Sequence, residues 1–150
     1  MSALEDDIDA LGRGLTAFVE TLRNEAEALR GPDAEALADA VARKTALAAE
    51  VGAAWERFAA HASTPPLSID RIQQALDRFP ALQKRWRAVR QLAEEAARLN
   101  QANGQQIELQ LQRTHRALDV LQTAANPARV YGEQGQILNL IQPQRTLDKA

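Results

Sequence analysis

Cysteine is absent from the 150 residues, which excludes disulfides and thiolate metal sites. Aromatic residues are only 4% of the chain, so a core has to be built from aliphatic layers and small residues. No apolar run approaches the roughly 20 residues that a bilayer-spanning helix requires. Charge of one sign is also lacking. The 18 basic and 20 acidic residues are interspersed, the net charge is −2, and no cationic stripe could follow a phosphate backbone, so nucleic-acid binding is not expected. The opening residues Met1-Ser2-Ala3-Leu4-Glu5-Asp6-Asp7 are acidic where a secretion signal would be basic and then apolar, which predicts a cytoplasmic protein.

The groups that carry chemistry are equally sparse. There is no phosphate-binding glycine loop, nucleophile elbow or Cys-His pairing. The two histidines, His61 and His115, lack the paired spacing of a helical zinc site and are expected at the surface or at helix ends. Glu94 and Glu95 are neighbours in sequence only. Successive helical residues point about 100° apart, so the pair reads as a solvated face rather than a proton-sharing dyad. The expectation is a binding protein that is not an enzyme and uses no metal or cofactor.

What the chain does have is alanine together with Leu, Glu, Gln and Arg, all good helix formers. Leu4, Ile8, Leu11, Leu15, Phe18, Leu22 and Leu29 follow the four-and-three spacing of a helix packed by knobs into holes. Gly12 and Gly14 weaken that helix locally, and Gly31-Pro32 ends it. Asp33 then reads as the N-cap of a second helix reaching about His61, with Leu37, Val41, Leu47, Val51, Trp55 and Phe58 as its stripe. Ser63-Thr64-Pro65-Pro66 is a breaker, and Ser68 can cap a short helix carrying Ile69, Ile72, Leu76 and Phe79 that Pro80 closes or kinks.

The last helix is predicted over about 81–125, with Leu82, Trp86, Val89, Leu92, Leu99, Ile107, Leu111, Leu118 and Leu121 as its stripe. At about 1.5 Å per residue it would extend roughly 65 Å, against about 40 Å for each of the first two. In an antiparallel arrangement its far end would lack an intramolecular partner. Leu109, Leu111, Leu118, Val120 and Leu121 would then form an uncovered apolar surface, the signature of a partner site. The fold class is therefore all-α: an antiparallel bundle or coiled coil of three long helices and one short one over 1–125, followed by a flexible tail over 126–150. Trp55 and Trp86 are expected in the core.

Asn100, Asn103 and Gly104 fall where the heptad calls for apolar or small side chains. Either the polar residues fix register while Gly104 permits close helix approach, or Gly104 lets the long helix bend. In the tail, Tyr131-Gly132 is either a turn whose tyrosine folds back or a recognition element. Ile137-Leu138-Asn139-Leu140-Ile141 is either a docking segment or a shield over the exposed stripe.

The run Leu99-Asn100-Gln101-Ala102-Asn103-Gly104, followed by Ile107, Leu111, Leu118, Leu121 and then Tyr131-Gly132-x-x-Gly135, resembles the C-terminal half of FlgN-type flagellar chaperones. In the N-terminal half, Glu25-x-x-Ala28-Leu29, Asp33, Leu37 and Lys44-x-x-Leu47 are compatible with it. Gln105 departs from the family pattern, as does the strongly apolar cluster of residues 137–141. The resemblance implies a cytoplasmic chaperone that covers the C-terminal amphipathic helices of the hook-associated proteins FlgK and FlgL, prevents their premature assembly and brings them to the type III export gate. It implies client binding by the end of the long helix and the tail: Ile107, Leu111, Thr114, Leu118, Leu121, Ile137, Leu138, Leu140 and Ile141. It assigns Tyr131 and Gly132 to the gate component FlhA. The competing expectation is a structural or adaptor coiled coil that self-associates through the same stripe, and a client-free homodimer is compatible with both.

Overall fold

The computed structural model of the chain describes residues 2–62 and 68–125. Four helices account for nearly all of them: α1 (Ser2–Arg30), α2 (Ala34–Ala62), α3 (Ile69–Leu76) and α4 (Pro80–Ala125). The local signals act where expected. Asp33 caps α2, its Oδ1 accepting from the Ala36 N–H at 3.0 Å, and Ser68 Oγ accepts from the Arg71 N–H at 3.2 Å to start α3. Pro80, expected to close or kink α3, is instead the first residue of α4. A proline fits there because the first-turn N–H has no intrahelical acceptor to lose.

The chain divides into two units, Met1–Gly104 and Gln105–Ala150, and the boundary falls within α4. In the first unit, ion pairs fix the directions of the helices. Asp7 of α1 meets His61 and Arg57 of α2, while Glu25 meets Lys44, so α2 runs antiparallel to α1. Asp9 meets Arg85 and Arg23 meets Glu95, so α4 runs parallel to α1 in an up-down-up arrangement.

The larger core cluster contains Ile8, Leu11, Phe58, Ile72, Leu76, Leu82 and Trp86, with Trp55 packed partly buried against it. Phe58 and Trp86 stack at 5.2 Å between ring centroids, and Trp55 lies 6.3 Å from Trp86. These three rings concentrate the scarce aromatic area where α2 and α4 meet. Full burial of Phe58 contributes about 2–3 kcal/mol. A smaller cluster of Val19, Leu22 and Ala96 continues the core along α1 and α4.

Two stripe assignments shift. On α1, Val19 is buried and Phe18 only half-buried, because that helix faces both α2 and α4 and buries a broad stripe. On α2, Val41 is 40% exposed while Ala40 is buried. The stripe runs through residues 37, 40, 44, 47, 51, 54 and 58, in steps of three and four that leave Val41 beside it. Small residues also set the spacing between axes. A Cβ on Gly14 would stand 3.1 Å from Val51 Cγ2, so Gly14 is where α1 and α2 approach closely.

Candidate partner-binding site

Residues 105–125 form the described part of the second unit, a stretch of α4 that is helical throughout. Helix geometry places Ile107, Leu111, Thr114, Leu118 and Leu121 within one face about 80° wide. They recur in steps of four and three, alternating as the d and a positions of a heptad. Leu111, Leu118 and Leu121 are 49%, 50% and 64% exposed, and Ile107 is half-buried. Those exposures leave about half or more of each leucine available to a partner. Thr114 interrupts the leucines, but its hydroxyl donates to the Gln110 carbonyl at 3.0 Å, so its polar group is satisfied on its own helix.

The flanks of this seam hold little charge. The positions beside it are Glu108, Gln110, His115, Ala117, Gln122 and Ala124. A site of this kind reads apolar spacing more than charge. It has no nucleophile–base arrangement, and no cluster of His, Asp and Glu able to hold a metal occurs among the described residues. No helix there is long and apolar enough to cross a membrane.

Asn103 is the last buried residue of α4. Its Nδ2 donates at 2.9 Å both to the Leu22 carbonyl and to Glu25 Oε1. The other oxygen of Glu25, Oε2, lies 2.8 Å from the Lys44 ammonium, and the Glu25 side chain is completely buried. Each long helix thus contributes one polar residue to a single layer. The sequence reading identified Asn103 but not the set. The signal was present, because Glu25 and Lys44 each continue the apolar stripe of their helix. Asn100 is exposed. Of the two readings of Gly104, close helix approach is not met among the described residues: a Cβ added there would meet nothing within 4 Å, because the residue faces outward.

Tyr131, Gly132, Ile137, Leu138, Leu140 and Ile141 lie outside the described residues, as does the whole proposed tail, so the structure brings together only the α4 members of the expected site. His61, in the last turn of α2, is paired with Asp7, beside Arg57 at 3.8 Å from the same carboxylate, which ties the two helix ends together. A concavity of about 320 Å³ lies in the first unit among Leu11, Leu15, Val51, Trp55 and Trp86. Its lining is apolar except at the rim, where Arg90 and Glu94 stand.

The family model described as FlgN protein aligns with residues 1–139. No curated protein and no solved structure matches the chain.

Proposed function

The chain belongs to the FlgN family of flagellar chaperones, and from that premise we propose that it is a cytoplasmic type III export chaperone for FlgK and FlgL. It would hold the C-terminal amphipathic helix of each client, keep it from assembling early and bring it to the export gate. The observation that carries this reading is the exposed seam Ile107–Leu111–Thr114–Leu118–Leu121 on one face of α4. A helix with such a seam is complementary to an amphipathic client helix, whose own apolar residues insert at the same spacing. The weakly charged flanks suit a chaperone with two clients, because selection rests on the apolar repeat that both would share.

Ile137, Leu138, Leu140 and Ile141 would extend the client contact, and Tyr131 with Gly132 would engage FlhA. Micromolar affinity, about −8 kcal/mol, would hold a client through delivery and still permit release. The interface area does not set that value, since ordering of the client helix opposes binding.

Calorimetric titration of the protein with the C-terminal helices of FlgK and FlgL tests the reading. Saturable 1:1 binding that disappears on truncation after Gln105 is the expected result. Absence of binding to either helix, with a dimer in sedimentation equilibrium, would replace it with the self-associating coiled coil.

A further inference from the structure

The client seam occupies one side of residues 105–125, and a second pattern occupies the other. Leu109, Arg113, Arg116 and Val120 recur in steps of four, three and four, centred about 150° around the helix from the seam. Leu109 is 48% exposed and Val120 57%, so both apolar residues of this face are open. Both arginines of the 105–125 segment fall between them, and the nearest carboxylate of the segment, Asp119, stands at the edge of the face about 60° beyond Arg116. Neither arginine makes an ion pair among the described residues.

We propose that this face is a second docking surface, which takes an acidic amphipathic helix from a protein other than the export client. Two guanidinium groups pressed against a neutral helix would lose hydration without replacement. Against glutamates flanking an apolar stripe they gain paired, charge-assisted hydrogen bonds. Leu109 and Val120 are three turns apart, about 16 Å, which a partner's apolar stripe spans at its own heptad spacing. Two cations set between apolar side chains are too few to follow a nucleic-acid backbone. The two faces differ in kind: the client seam is nearly neutral at its flanks, and this one is cationic. Because they lie on opposite sides of one helix, the protein can hold a client and a second protein together.

The test uses the full chain and two synthetic peptides of three heptads, with the same leucine seam and either glutamate or lysine at every flanking position. Because either peptide's leucine seam could also enter the client seam, calorimetry is done on L111S/L118S, which at about 50 mM salt should bind the glutamate peptide 1:1 and not the lysine peptide. Adding R113Q/R116Q to that variant should weaken binding of the glutamate peptide about tenfold, as should raising the salt to about 300 mM. Equal binding of the two peptides would overturn the proposal. So would loss of the glutamate peptide in L111S/L118S but not in R113Q/R116Q, which would place it on the client seam. No binding of the glutamate peptide, with R113Q/R116Q altering sedimentation of the protein alone, would overturn it in favour of contact between two copies. FlgK and FlgL helices titrated into the same variants report separately. Their binding should fall in L111S/L118S and persist in R113Q/R116Q, and its failure would remove the client reading alone.

Discussion

Glu25 is wholly buried and held from two sides, by the amide of Asn103 and the ammonium of Lys44. Replacing it with alanine removes the counter-ion of Lys44 and leaves the Asn103 amide with only the Leu22 carbonyl. Removal of one member of a buried charged network costs several kcal/mol when the remaining charge cannot reach water. Here the Lys44 side chain is 24% exposed and can turn outward, which places the expected loss for Glu25→Ala at about 2–3 kcal/mol. Lys44→Ala should cost more than the usual surface change, because it leaves the carboxylate buried without its cation. Asn103→Ala should cost about 1–2 kcal/mol. Urea denaturation followed by circular dichroism checks the order. A loss for Glu25→Ala within about 0.5 kcal/mol of zero would show that the layer contributes no net stability.

At the level of the helix, glycines in the same type of element should respond oppositely. A Cβ on Gly52 meets nothing within 4 Å, so Gly52→Ala should stabilise α2 by about 0.5–1 kcal/mol through the lower backbone entropy of the unfolded chain. Gly14→Ala carries the same entropic gain but crowds Val51 at 3.1 Å, and it should be neutral or destabilising. Paired thermal melts decide the point, and equal gains at both positions would mean that α1 and α2 separate easily. Gly104→Ala also meets open space and should stabilise α4. Unchanged client affinity in that variant would remove any need for a bend there.

The extents of the helices were legible in the sequence because their causes are local. Gly31-Pro32, Asp33 and Ser68 act on the few residues beside them, and the apolar repeat is visible along one helix at a time. The α4 seam was legible for the same reason. The polar layer was not, since only Asn103 stood out alone, and it meets Glu25 and Lys44 only once the register of three helices is fixed. Val41 was misplaced for a related reason: alanine at position 40 carries little hydrophobic weight, yet it is the residue that fits the closely packed interface.

The polar layer and the exposed α4 seam proposed to take the client act at the scale of the whole molecule, and they can be altered separately. Replacing Glu25, Lys44 and Asn103 together by leucine removes every polar group of the layer, so no buried charge is stranded. Stability should be retained or raised, while uniqueness of register declines. Broadened or duplicated amide resonances would report the second effect, and sharp single resonances would show that packing alone fixes the register. Leu118→Asp is the complementary change. Its side chain is half-exposed, so the substitution buries no carboxylate in the free protein and should leave the unfolding midpoint within about 2 °C of the original. In the complex with a client helix the same carboxylate would sit at the centre of an apolar seam without a partner. Its desolvation should lower client affinity by at least about tenfold, and Leu121→Asp, nearer the end of the helix, should lower it less. Calorimetry and thermal melts on the same preparations separate the outcomes. Lost affinity with an unchanged midpoint places the client on this face, whereas unchanged affinity in both variants would move the client contact off α4.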